Sequence, residues 1–128
     1  MMSKFVKIKL WWLICLRLSE IVYATNCCSV IKSANTKDDG VIYKFTGTYH
    51  RERPFFVNDA VNRAIWFENI DDNPDWVVGD KDNIVNGQEI YGFLRSDEDT
   101  PCPTDTSDWR DVRNGEWLNN PDAKLECG

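Results

Sequence analysis

The stretch RPFFVNDAVNRAIWFENIDDNPDWVVG, residues 53–79, decides how this chain folds. It reads as three short strands, 54–57, 64–68 and 75–79, each rich in aromatic or β-branched residues. Pro54 opens the first strand, where a missing N–H is tolerated. Asn58-Asp59 and Asp71-Asp72-Asn73-Pro74 supply turn chemistry between the runs. Strand alternation sets Ala64, Trp66 and Glu68 on one face and Ile65 and Phe67 on the other. Both faces carry an aromatic, so the middle strand is predicted to be central and covered on both sides. Short connections predict a meander of antiparallel neighbours.

Working outward, residues 41–49 alternate Val41, Tyr43 and Phe45 against Ile42, Lys44 and Thr46, a strand pattern. Residues 28–31 and 123–127 read as a first and a last strand, and 89–95 as another, with Gly92 marking a bulge. Asn114-Gly115 lies between 109–113 and 116–118, the strongest short hairpin signal, because a type I′ turn needs positive φ twice. Its register sets Arg113 opposite Glu116 and Val112 opposite Trp117. Residues 32–40, 80–88 and 96–107 read as loops. The closest approach to a helical period, 58–67, ends in Trp66-Phe67 and favours strand. The fold predicted is all-β, a single small antiparallel meander or sandwich-like domain.

Residues 1–24 differ from the rest. Lys4, Lys7 and Lys9 precede the apolar run 10–16, and Val22-Tyr23-Ala24 offers a cleavage site, the pattern of a signal peptide. The apolar run is shorter than the roughly 20 residues a membrane span needs. The domain is then 25–128, one secreted β domain. The full chain has 15 Lys+Arg and 21 Asp+Glu, and residues 1–24 hold four of the former and one of the latter. The remainder carries 11 against 20, a net charge of −9. A surface so acidic repels phosphates and anionic lipid heads, which argues against nucleic-acid and membrane partners.

Cys27, Cys28, Cys102 and Cys127 remain, an even number in a small exported domain, and predict two disulfides. A bridge between adjacent cysteines is disfavoured, so each N-terminal cysteine pairs with one of the two C-terminal ones. A zinc site is disfavoured, because Cys27-Cys28 lacks a spacer and no histidine neighbours the cysteines in sequence. No metal and no cofactor is expected.

Little points to catalysis. The only histidine, His50, falls in a charged turn, and no serine has a nucleophile-elbow context. The chain is read as a non-enzyme. Asp71, Asp72 and Asp75 place oxygens as a calcium loop would, but Trp76 stands where such a loop needs glycine and Pro74 stiffens it. Four tryptophans follow residue 24. Trp66 and Trp76 read as core, while Trp109 and Trp117, on a peripheral hairpin, are the candidates for an exposed binding patch. Asp71, Asp72 and Asp75 are the acidic binding candidates.

The ordered set Gly47-Thr48-Tyr49, residues 53–58 (RPFFVN), Ile65-Trp66-Phe67, Trp76-Val77-Val78-Gly79, Cys102-Pro103, Trp109, Trp117 and Cys127 resembles a small Trp- and Cys-containing extracellular module. That module recurs in secreted and surface proteins of invertebrates. His50-Arg51-Glu52 departs from it where similar modules carry Asn-Gly, which bears on the turn rather than the fold. The resemblance implies an autonomous, non-enzymatic extracellular unit and supplies no catalytic residues. The expected function is a secreted binding module for a protein or glycan partner. The alternatives are a secreted effector or venom-type polypeptide and an acidic, calcium-associated matrix protein.

Overall fold

A computed structural model describes residues 27–70, 72–85 and 92–128, so the segment 1–24 read as a signal peptide lies outside the described residues. Nine strands form one curled antiparallel sheet: β1 (Val30–Ala34), β2 (Ile42–His50), β3 (Arg53–Asn58), β4 (Arg63–Ile70), β5 (Asn73–Asp80), β6 (Leu94–Ser96), β7 (Arg110–Arg113), β8 (Glu116–Asn119) and β9 (Lys124–Cys127). The spatial order is β8-β7-β6-β5-β4-β3-β2-β1-β9. Eight strands run as the expected meander, and β9 returns to pair with β1.

This order has a geometric consequence. β8 and β9 are consecutive in the chain and occupy opposite edges of the sheet. Laid flat, nine strands would hold those edges about 38 Å apart. Only residues 120–123 connect them, a reach of at most about 18 Å. The sheet must therefore curl until its edges meet. The concave face collects one core: Ile31 from β1, Tyr43 from β2, Phe56 from β3, Ile65 and Phe67 from β4, Trp76 and Val78 from β5, Leu94 from β6, then Trp109 and Leu125.

Asn120 ties the seam. Buried, it donates its backbone N–H to the Trp109 carbonyl at 2.8 Å. Its Nδ2 donates to the Asn35 carbonyl at 3.1 Å and to Asp111 Oδ2 at 2.9 Å. Asn35 Nδ2 in turn donates to the Asp122 carbonyl at 3.0 Å. Side chains thus join the β7 and β1 sides across a gap that no strand ladder bridges.

The disulfides are Cys27–Cys102 and Cys28–Cys127. They close loops of 75 and 99 residues in sequence separation, so each contributes about 4–5 kcal/mol by constraining the unfolded chain. The segment held by Cys102 covers one mouth of the curl. There the Thr100 carbonyl accepts from Trp76 Nε1 at 3.0 Å and from Arg53 Nε at 3.2 Å.

The central stretch behaves as its alternation requires. Phe67 lies opposite Trp76 and Ile65 opposite Val78 on the concave face, with Phe67 and Trp76 edge to face at 5.3 Å. On the convex face Ala64, Trp66 and Val77 form a second buried cluster, flanked by Phe55, Val57 and Ile84. Ile84 belongs to a short helix, α1 (Lys81–Val85), inside the segment 80–88 read as loop. Five residues are too few to show a period of 3.6 in sequence. The strand expected over 89–95 is seen as Leu94–Ser96; residues 86–91 lie outside the described residues. Gly92 is there because a Cβ would sit 2.3 Å from the Val78 carbonyl oxygen, and its φ is +68°. The first strand runs on to Ala34, within the segment read as loop. A short 3-10 turn, Asp59–Val61, interrupts the path from β3 to β4.

Two of the tight hairpins are informative. Arg113 opposes Glu116 and Val112 opposes Trp117, with φ of 52° at Asn114 and 80° at Gly115, as the Asn-Gly signal requires. The β2–β3 hairpin pairs His50 with Arg53, so Arg51 and Glu52 occupy the two turn positions at φ of 50° and 66°. Residues with a Cβ pay steric strain there.

Two outcomes are expected in urea unfolding. Asn120→Ala should lower stability by ~1–3 kcal/mol, because a buried side chain and the two hydrogen bonds it donates across the seam are lost. Glu52→Gly should raise it by up to ~1 kcal/mol, because glycine adopts positive φ without strain.

Candidate functional site

On the convex face of β5 the side chains at alternate positions, Asp75 and Val77, point away from the core that holds Trp76 and Val78. Val77 opposes Arg95 on β6, and Arg95 opposes Arg110 on β7. Two residues beyond Arg95 on the chain, Asp97 joins the same row. Across β4, Glu68 opposes Asp75. Trp117 on β8 lies over this row, with the Arg95 guanidinium 5.3 Å from its ring centroid. The site is therefore a band of carboxylates and guanidinium groups crossing the strands and ending under a half-buried indole.

Asp75 anchors the band. It has no solvent exposure, and its Oδ2 accepts from Arg95 Nη2 at 3.3 Å. Arg95 also lies 3.6 Å from Asp97, which in turn accepts from Arg110. On the far side, Glu68 accepts from Arg51 and is bonded to His50 Nε2 at 3.1 Å. His50 thus serves as a partner of Glu68 at the end of the band.

The titrations differ along this band. Burial, then the hydrogen bond with Asp97, pushes the Asp75 carboxyl up to about 7, against the pull of Arg95. Asp97 is held below the ordinary carboxylate range by its bond with Asp75, burial opposing, and by Arg110 and Arg95. For Glu68 burial acts upward, but the bonds from His50, Arg51 and the Asn69 N–H outweigh it and the carboxyl is lowered. Neighbouring carboxyls along the band thus carry opposite shifts, Asp75 raised and Asp97 lowered.

The sequence-predicted site residues divide. Trp117 and Asp75 come together at this band, separated by Arg95. Trp109 does not join them: it is 1% exposed and packs in the concave core, because the hairpin begins only at Arg110 and the Trp109 carbonyl is tied to Asn120. The expectation that it lies exposed is corrected accordingly. Its indole N–H finds no acceptor among the described residues. Asp72 is exposed in the β4–β5 hairpin turn with φ of 64°, and Asp71 lies outside the described residues. Asp75 does not face that turn as a calcium loop would need, since the strand has already begun at Asn73. Among the described residues no group of three or more His, Cys, Asp or Glu is placed to hold a metal ion. Arg95 and Arg110 are the site residues missed in sequence. Their signal was faint: Arg95 alternates with Leu94 and Ser96, both buried, which marks it as facing outward.

A second aromatic surface lies by the disulfides. Phe45, Tyr49, Pro54 and Phe56 line a groove of about 210 Å3 beside Cys27 and Cys28. Tyr49 is 48% exposed and meets Phe45 edge to face at 5.5 Å.

Comparison with protein-family models, with curated proteins and with solved structures found no match for this chain.

The Asp75 shift gives a stability effect with a definite sign. Between its ordinary value of 3.8 and about 7, the folded state keeps a proton that the unfolded chain has released. That contribution is complete below about 4 and is lost as pH rises through about 7. Thermal unfolding at a series of pH values should show Asp75→Asn gaining on the native chain by about 1 kcal/mol or more between pH 5 and pH 8. Equal pH dependence in the two would contradict this placement of Asp75.

Proposed function

We propose that this chain is a secreted extracellular binding domain without catalytic activity, and that it engages a glycan through the convex face of β5–β8. The observation that carries the reading is the Trp117 indole, half-buried and backed by Arg95 at 5.3 Å. Aromatic faces stack on the apolar faces of sugar rings, and flanking planar polar groups bond to hydroxyls. Arg95, Arg110 and Asp97 supply such groups, and their mutual pairing holds them in place before a ligand arrives. Export is supported by the signal-like residues 1–24 and by two disulfides, which persist in oxidising compartments. No helix among the described residues is long and apolar enough to cross a membrane. The acidic balance of the chain favours partners other than nucleic acid and anionic membrane.

A protein partner is the second reading. Val112, paired with Trp117 on the same hairpin face, is 42% exposed beside that aromatic and the arginines. Tryptophan and arginine are the residue types that dominate protein-interface hot spots. That reading also covers an effector acting on another organism's protein.

A glycan array probed with the mature chain should return bound structures, and Trp117→Ala should weaken that binding by roughly 10–100-fold, the effect of removing one anchoring aromatic. Binding left intact in Trp117→Ala would remove the site. An array with no bound structure, together with a protein partner captured from extracellular material and lost in Trp117→Ala, would establish the second reading instead.

A further inference from the structure

We propose that the convex face of β9, β1 and β2 is a second docking surface, and that its partner is a linear acidic polysaccharide lying along a row of three lysines, Lys124, Lys32 and Lys44. This surface is separate from the site around Trp117, and neither depends on the other.

The cations of residues 27–128 divide into two groups. All six arginines, Arg51, Arg53, Arg63, Arg95, Arg110 and Arg113, lie in ion pairs with carboxylates. Of the five lysines, Lys81 pairs with Asp59, and Lys37 lies over the Phe93 ring at 5.6 Å. Lys32, Lys44 and Lys124 are exposed and have no ion-pair partner among the described residues. Beyond residue 24 carboxylates outnumber cations by 20 to 11, so a shortage of acids does not explain these three.

They share one face, because Ile31 and Ser33 of β1, Tyr43 of β2 and Leu125 of β9 are buried on the other. Lys32 stands opposite Ile42 on β2 and Glu126 on β9. Lys44 stands opposite Val30, and Lys124 opposite Ala34. Lys44 and Lys124 are therefore the diagonal neighbours of Lys32 on its two sides, each about 7–8 Å away. The three charges form one diagonal row across three strands. Val30, Ala34 and Ile42 flank it, and Glu126, the one acid in these pairings, holds no cation among the described residues. At the Lys44 end a groove of about 330 Å3 is lined by Ile42, Lys44, Val57, Asn58 and Asp59, the last already held by Lys81.

A row of unpaired ammonium groups at even spacing fits a linear polyanion. Lysine presents a compact charge on a flexible stem, so it meets sulfate or carboxylate groups without demanding a fixed geometry. The flanking side chains are aliphatic, so the row offers nucleic-acid bases no aromatic face on which to stack. Sugar rings instead bring their C–H faces to Val30 and Ile42. The net charge of −9 does not forbid such a partner. At physiological ionic strength exposed charges act over about 8 Å, so a chain lying on the row meets the lysines ahead of the acidic surface elsewhere.

The test measures binding of the mature chain to heparin, a sulfated polysaccharide, at a series of salt concentrations. Binding should hold at physiological ionic strength and weaken as salt rises. Lys32→Gln, Lys44→Gln and Lys124→Gln combined should weaken it by roughly 10-fold or more. The slope of log affinity against log salt should fall by about three, one for each lysine. Lys81→Gln and Trp117→Ala should leave binding unchanged. A second measurement needs no substitution: bound heparin should protect Lys32, Lys44 and Lys124 from acetylation and leave Lys81 reactive. Absence of binding at physiological salt, equal binding by the triple variant, or equal acetylation of free and bound chain would overturn the proposal. So would loss of heparin binding in Trp117→Ala, which would return the polysaccharide to the other site. Tighter binding of single-stranded DNA or polyglutamate through the same lysines would overturn the polysaccharide as partner. Failure here leaves the glycan-array result at Trp117 standing, and failure there leaves this one.

Discussion

A connection of four residues, 120–123, joins the two opposite edges of a nine-stranded sheet, and the rest of the structure depends on it. An open meander of this length would leave two strand edges and one long apolar face in water. The short connection removes that option. It bends the sheet on itself, so that residues from β1 to β9 meet in one concave core. The disulfides then fasten what the curl brings together, one at β9 and one at the segment covering the mouth. Asn120 replaces a strand ladder at the seam with side-chain and backbone bonds. A buried asparagine there is stable because its donors are matched by acceptors already lacking strand partners.

The curl also creates the candidate site. With the apolar positions of β4–β6 turned inward, the alternate positions are forced outward on neighbouring strands. Glu68, Asp75, Arg95 and Arg110 line up across four strands for that reason alone. Part of this convex face is covered by Ile84 of α1, which buries Trp66. The remainder stays charged and ends under Trp117. A buried Asp75 is costly as an ion, and the structure lessens that cost through Arg95. The strained Arg51–Glu52 turn belongs to the same design, since it delivers Arg51 to Glu68.

Much of the fold was legible because strands write themselves with a period of two. The central stretch, the Asn114-Gly115 hairpin with its register, and the closing strand all follow from local patterns that tertiary contacts reinforce. The short helix at Lys81–Val85 was not legible, being less than two turns long. Trp109 was misplaced for a related reason. It lies immediately before the first residue of its strand, and pattern alone does not say on which side of a sheet a flanking residue falls. The site was half legible: Trp117 and Asp75 stood out by type, whereas Arg95 and Arg110 became distinctive only through the strands beside them.

By itself the sequence determined the class of fold, the pairing of neighbours and the need for two disulfides, because alternation, turn chemistry and cysteine number act locally or by count. It left open which N-terminal cysteine meets which partner; the return of β9 beside β1 decided that, by bringing Cys127 to Cys28 and leaving Cys102 for Cys27. Tertiary structure alone decided that Asp75 is closed off from water, that Arg95 meets it, and that the same arginine backs the indole. Those facts depend on residues from separate strands arriving at one place, and distance along the chain carries no record of where a curled sheet brings them together.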